Sequence, residues 1–104
     1  MGTTIRAQIS EKNKYYIDKH RHYELKHFCL QYPNWKKTHY SKRIEMIEQV
    51  AKDTDKYLWQ YILKAVTEGR SYTYLRTRLG IPCGKDMYYD RYRRFFWLLS
   101  EIRD

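Results

Sequence analysis

The chain has 104 residues, of which 42% are hydrophobic, 17% aromatic and 32% charged. A chain of this length forms one domain that buries roughly 65% of its unfolded surface, so it can build a core without disulfides or metal. The composition excludes a disordered chain, because aromatic residues recur at helical spacing, and the longest strictly apolar run, residues 95–99, is too short to span a bilayer.

The charge of the chain indicates the class of its partner. Lysine and arginine number 21 against 12 acidic residues, which gives a formal net charge of +9. Such a charge attracts polyanions through counterion release and long-range steering. We therefore expect nucleic acid as the first candidate partner and an anionic membrane surface as the second. The alternative is a basic protein that its charge merely keeps dissolved.

The cysteines and the amino terminus indicate the compartment. Cys29 and Cys83 are far apart and belong to no C-x-x-C pair, which is typical of ordinary thiols in a reducing compartment. The first ten residues contain no apolar signal core. We expect a cytoplasmic protein with a flexible arm over residues 1–14, which lack apolar periodicity, and a single helical domain over 15–104.

The first predicted helix begins at Asp18, a typical N-cap residue. Its spacing places Tyr23, either His27 or Phe28, and either Leu30 or Gln31 on one helical stripe. The letters YPNW predict its end, because the residue before a proline is biased away from the α region. We expect Trp35 to fold back onto this helix.

Further helices are predicted by apolar spacing and by cap residues. One lies within the letters KRIEMIEQVA and stops at KDTD, and the others cover about 56–67, 71–79 and the stretch that begins near Lys85. Ser71 is a predicted N-cap, and Gly69 and Gly80 are predicted left-handed stops. No segment alternates like a strand, so we predict an all-α fold, a small bundle of about five helices.

The last two predicted helices, joined by a glycine turn, are typical of a helix–turn–helix over residues 71–102. In that motif the first helix braces the second, which lies in the major groove of DNA. A helical wheel places Tyr88, Tyr92, Phe95, Leu99 and Ile102 on the inner face, and Asp86, Tyr89, Asp90, Arg93, Arg94 and Trp97 on the outer face.

The candidate DNA-binding residues belong to this pair of helices. Residues 70–94 contain seven basic and two acidic residues. For contacts in the groove we expect Lys85, Tyr89, Arg93 and Arg94, and for contacts to phosphate Arg70, Arg76, Arg78 and Arg91. Arginine reads guanine through two parallel hydrogen bonds, worth roughly 1–3 kcal/mol against a wrong base. The alternative is a packing helix with solvated arginines.

The letters YLWQYILKAVTEGRSYTYLRTRLGIPCGKDMYYDRYRRFFWLL resemble the carboxy-terminal half of phage regulators of the ArpU/RinA kind, which are similar to the helix–turn–helix of sigma factors. The letters NKYYIDKHRHYELKHFCLQYPNWKK resemble a segment of small proteins from Firmicute phages and mobile elements. The resemblance implies a phage or prophage DNA-binding protein that acts on transcription and has no enzyme activity. One departure is a turn one or two residues longer than usual, since Asp86 stands where the first buried residue is expected.

Other functions find less support in the sequence. His20, His22, His27 and Cys29 do not have the spacing of four converging zinc ligands, so we expect no metal and no cofactor. No phosphate loop or nucleophile elbow indicates an enzyme. The chain would bind double-stranded DNA as a monomer or a homodimer. The rivals are a module that docks on a host protein such as RNA polymerase, and a phage DNA-packaging protein that assembles into a ring.

Overall fold

Helices form almost the whole of the part that the computed structural model describes, residues 14–38 and 41–103, and this part contains no strand. The helices are α1 (Lys19–Leu30), α2 (Tyr32–Thr38), α3 (Ser41–Thr54), α4 (Trp59–Glu68), α5 (Tyr72–Leu79) and α6 (Lys85–Ile102). The prediction of a small all-α bundle is confirmed. The predicted arm lies outside the described residues except for Lys14.

The ends of the helices follow the cap residues in the sequence. Asp18 accepts hydrogen bonds from the backbone amides of His20 and Arg21, and the Ser71 hydroxyl accepts one from the amide of Tyr74. Gly69 and Gly80 end α4 and α5 with φ angles of 69° and 65°, the left-handed conformation that glycine adopts without strain. These predicted boundaries are confirmed.

The break predicted at YPNW lies one residue earlier and is much shorter. The chain turns only at Gln31, and α2 begins at Tyr32. Pro33 then lies in the first turn of a helix, where its missing N–H costs no hydrogen bond. Trp35 is only 4% exposed and its ring centroid lies 4.8 Å from that of Phe28, so the predicted return onto α1 is confirmed.

The buried stripe of α1 is shifted from the predicted one. Its buried residues are His22, Leu25, Phe28 and Cys29, whereas Tyr23 is 42% exposed. The shift arises because the imidazole of His22 packs against aromatic rings of α6 and takes the inner place that an apolar residue was expected to hold. The expectation for Tyr23 is therefore wrong, as is the one for Leu30 or Gln31, since both are exposed, whereas the one for Phe28 is confirmed.

The core lies between α1, α3, α4 and α6. Its fully buried side chains are Leu25, Cys29, Ile47, Ile62, Leu75, Ile81, Tyr88, Phe95, Phe96 and Leu99. Four of these belong to α6, more than to any other helix in the described ranges. Not one helix in the described ranges is both long and apolar enough to cross a membrane.

Helices α3 and α6 run antiparallel. The Arg94 side chain, midway along α6, reaches the Thr54 carbonyl at the end of α3. At the far end of α6 the Arg103 guanidinium lies 4.1 Å from the centroid of the Phe28 ring, which itself contacts Trp35 in the helix before α3. The start of α3 is therefore close to the end of α6, and the start of α6 is at the opposite end of the molecule.

Candidate nucleic-acid interface

Helix α5 and the connection after it are fixed to the start of α6 by buried rings and backbone hydrogen bonds. The Tyr72 ring centroid lies 5.5 Å from that of Tyr88, and the Tyr72 hydroxyl donates to the Cys83 carbonyl at 2.6 Å. Ile81 is fully buried, and its amide donates to the Leu75 carbonyl at 3.1 Å. The positions of exposed side chains on α5 relative to those on α6 are therefore set by the core.

Two cations at this end of the molecule are fully available to a partner. Arg78, in the last turn of α5, and Lys85, the first residue of α6, are exposed. Neither forms an ion pair or hydrogen bond with any residue in the described ranges. Asp86 is also exposed in the first turn of α6, so the positive potential here is reduced but not cancelled.

Arg70 and Arg76 are exposed cations that are held in place. The Arg70 guanidinium lies 4.3 Å from the centroid of the Tyr74 ring, and its Nε lies 3.3 Å from the carboxylate of Glu68. Arg76 donates to the Ile81 carbonyl at 3.1 Å, which ties the end of α5 to the connection. Both guanidinium groups are therefore exposed to solvent, and these contacts restrict their orientation.

Arg91 is directed toward the α3–α4 turn rather than toward solvent. Its Nε lies 2.9 Å from a carboxylate oxygen of Asp55, and its guanidinium also pairs with Asp90. The pKa of the Asp55 carboxyl is lowered: partial burial acts to raise it, but hydrogen bonds from Arg91 and from the backbone amides of Leu58 and Tyr57 outweigh that effect. Arg91 thus stabilises the turn that precedes α4.

Arg94 is likewise engaged with α3. Its Nε donates to the Thr54 carbonyl at 3.2 Å, and a terminal nitrogen donates to the Asp53 carbonyl at 3.4 Å. These carbonyls have no partner within α3, because the last turn of a helix leaves its C=O groups unsatisfied. The cation also interacts favourably with the negative end of the helix dipole. The structure places Arg94 as a C-terminal cap of α3, apart from Arg78 and Lys85.

The remaining candidates on α6 lie at the edge of its buried face. Tyr89 is half-buried, with its ring centroid 5.1 Å from that of Tyr88, and Arg93 is half-buried one turn further along. Trp97 is covered in part by Tyr15, whose ring centroid lies 5.8 Å away. The predicted outer face of α6 is thus accessible mainly in its first two turns. Ile102, predicted to face inward, is 55% exposed.

A groove beside α6 contains exposed residues that the sequence reasoning missed. Tyr57 is 77% exposed and Met87 is 48% exposed, and they line an open groove of about 530 Å³ together with Lys56. The Asp55 carboxylate accepts hydrogen bonds from the backbone amides two and three residues further on, those of Tyr57 and Leu58, both at 2.8 Å. This turn delays the start of α4 to Trp59, so Lys56 and Tyr57 are in the turn instead of the predicted helix. The available signal in the sequence was Asp55 itself, because an aspartate side chain readily accepts a hydrogen bond from the backbone two residues further on.

The histidines and cysteines of α1 do not converge. His22 and Cys29 are buried, whereas His20 and His27 are exposed. Within the described ranges no group of three or more His, Cys, Asp or Glu side chains is arranged to hold a metal ion. Burial also raises the pKa of the Cys29 thiol, despite the opposing effect of Arg103.

In comparisons with known proteins, no family model, no curated protein and no solved structure matches this chain. The choice of a binding surface therefore rests on the charges and contacts of the chain itself.

Proposed function

We propose that this protein binds double-stranded DNA through α5 and the first half of α6, and that it acts as a transcription regulator of the phage type. In this proposal α5 braces α6, and α6 enters the major groove as in a helix–turn–helix. The observation that carries it is the group of exposed cations around this unit, Arg70, Arg76, Arg78 and Lys85. The regulatory role rests on the resemblance of the sequence to phage regulators.

The contacts within the chain divide the candidate residues by role. Arg78 and Lys85 are available for phosphate, and Arg70 and Arg76 are held close to the same surface. Tyr89 and Arg93 lie at the edge where α6 leaves the core, so they are the candidates for base contacts. Arg91 and Arg94 instead hold α6 against α3, which fixes the angle at which α6 is presented.

The double variant Arg78→Gln/Lys85→Gln tests the proposal. Each phosphate contact contributes about 0.9 to the slope of log K against log salt concentration, so this variant should flatten the slope by about 1.8. Affinity for a short duplex should fall at least about tenfold at low salt. Neither side chain is bonded within the described residues, so the melting temperature should not change.

The matched control is Lys14→Gln/Lys19→Gln, which removes the same charge from two exposed lysines at the start of the described chain. Fluorescence anisotropy with labelled duplex measures both variants. A control that weakens binding as much as Arg78→Gln/Lys85→Gln, or a double variant that binds like the wild type, would contradict the proposed surface.

A second candidate function is docking on a protein partner through the groove beside α6. The observation that favours it is the exposure of Tyr57 and Met87 on either side of that groove. Exposed tyrosine is frequent at the energetic centre of protein interfaces, and methionine adapts to varied apolar partners. Binding of this kind would depend only weakly on salt.

A further inference from the structure

A second basic surface lies where α2 meets α3. We call it the α2–α3 patch and define it by Lys36, Lys37, Lys42 and Arg43, all of which are exposed. The sequence from 36 to 43 contains no acidic residue. None of these cations belongs to the surface proposed above.

The patch is built on a fixed support. The Arg43 guanidinium lies 5.4 Å from the centroid of the Trp35 ring, and the Lys36 ammonium lies 5.4 Å from that of Tyr32. Lys36 is also 3.8 Å from the Glu48 carboxylate, which accepts a hydrogen bond from the Tyr32 hydroxyl. Glu48 therefore offsets part of one charge and joins α2 to α3, while Lys37 and Lys42 remain as cations toward solvent.

Lys42 and Arg43 of the patch, at the start of α3, and Lys85 of the proposed surface lie toward opposite ends of α6. Because α3 is antiparallel to α6, the start of α3 is near Arg103 and far from Lys85. An α-helix rises 1.5 Å per residue, so the 18 residues of α6 separate the two ends by about 27 Å. The longest dimension of the molecule is 37 Å.

The major groove is about 12 Å wide, so a straight helix that enters it by its first turns projects its far end, about 27 Å away, beyond the groove. A duplex docked in this way contacts the patch as well only if it bends around the protein, and bending 20–30 base pairs by 40–90° costs about 1–6 kcal/mol. A second duplex segment needs no bending. The four cations of the patch release about four counterions on contact with phosphate, the same number as the exposed cations around α5 and α6.

The chemistry of the patch fits a phosphate backbone better than a protein or a single strand. Single-stranded nucleic acid is held by exposed aromatic rings on which bases stack, and protein partners are held by exposed aromatic anchors. Among the described residues, Trp35 is 4% exposed and lies under Arg43, and Tyr32 is half-buried beside Lys36. Among its described residues, 36–38 and 41–43, the patch therefore presents charge and no exposed ring.

We infer that the α2–α3 patch binds the phosphate backbone of a second DNA duplex, so that one copy of the protein bridges two duplex segments. This inference rests on the proposed function, which supplies the first duplex.

The test is a bridging assay with Lys36→Gln/Lys37→Gln/Lys42→Gln. Arg43 is retained because it packs on Trp35. Protein is loaded on a bead-bound duplex, and capture of a second, fluorescent duplex is measured. The wild type should capture the second duplex, and the patch variant should capture at least about tenfold less while it still binds the bead-bound duplex. The control Lys14→Gln/Lys19→Gln/Lys52→Gln, with the same loss of charge at exposed lysines outside the patch, should capture like the wild type.

The outcomes separate this inference from the proposed function. A wild type that binds the first duplex and captures no second one overturns the bridging inference alone. A patch variant that bridges as well as the wild type overturns it too, because bridging then arises from two α5–α6 surfaces in an oligomer, which the mass in solution would show. A wild type that binds no duplex overturns both.

Discussion

At the scale of single residues, the neighbours of a cation decide what it does. Arg78 and Arg94 lie in the same basic stretch of sequence, yet Arg78 has no bonded partner in the described part and Arg94 donates to two carbonyls of α3. A hydrogen bond to a charged group contributes roughly 1.5–3 kcal/mol to stability, so Arg94 is held in the fold. Arg78 can pair with phosphate without the loss of a hydrogen bond to the described part of the chain.

His22 provides a prediction about pH at the same scale. Burial, with a smaller contribution from the charge of Lys26, lowers its pKa from 6.5 to about 4. The unfolded chain therefore binds a proton between pH 6.5 and 4 that the folded chain does not. The free energy of unfolding should fall as the pH drops through this interval, by at most about 3 kcal/mol from this residue.

The variant His22→Phe isolates this effect, because a phenyl ring can take the place between Tyr92 and Phe96 and does not titrate. Urea unfolding followed by circular dichroism between pH 4 and 7 should show a flatter dependence on pH than in the wild type. His27→Gln, at an exposed histidine, should keep the wild-type dependence. If His22→Phe also keeps it, the histidine is not buried in its neutral form.

At the scale of elements, local chemistry was predictable from the sequence and long-range packing was not. Asp18, Ser71 and Gly80 act on backbone groups within a few residues, so their types indicated the helix ends correctly. The engagement of Arg94 with α3 joins residues 40 and 41 positions apart, and no local pattern contains that information.

The missed parts of the candidate site have the same origin. The helical wheel places Arg94 on the outer face of α6, but a wheel describes one helix and does not include α3 beside it. The shift of the α1 stripe to His22 also depends on rings from another helix. Tyr57 and Met87 are brought together only by the fold, since they lie in different elements.

The turn between α5 and α6 provides a prediction for an element. Gly80 has a φ of 65°, and a Cβ added there would meet nothing within 4 Å, so Gly80→Ala is strained only through its backbone. The left-handed conformation costs an L-residue roughly 1–2 kcal/mol, and stability should fall by about that amount. Thermal or urea unfolding measures it.

Gly84→Ala is the matched control in the same connection. Gly84 has a φ of −81°, and an added Cβ meets nothing within 4 Å. Alanine should therefore change stability by a few tenths of a kcal/mol at most, since the lower entropy of the unfolded chain offsets the weaker N-cap. Equal losses in both variants would mean that the conformation at Gly80 is not what constrains this connection.

At the scale of the whole molecule, two groups of exposed cations lie on different elements. Arg70, Arg76, Arg78 and Lys85 lie around α5 and the start of α6, and the α2–α3 patch lies where α3 begins, toward the other end of α6, which is about 27 Å long. The core between them fixes both surfaces in one small bundle. In this core the rings of Phe28, Trp35, Tyr88, Phe95 and Phe96 pack with aliphatic side chains, and the cations of both surfaces lie outside it.

The affinity of the wild type for a short random-sequence duplex, measured by fluorescence anisotropy at several salt concentrations, tests DNA binding most directly. With four phosphate contacts the slope of log K against log salt concentration should be about −3.6, which corresponds to a loss of affinity of about 150-fold between 50 and 200 mM salt. Absence of binding at the lowest salt, or a slope flatter than about −1, would contradict DNA binding and favour the groove at Tyr57 and Met87 as the functional surface.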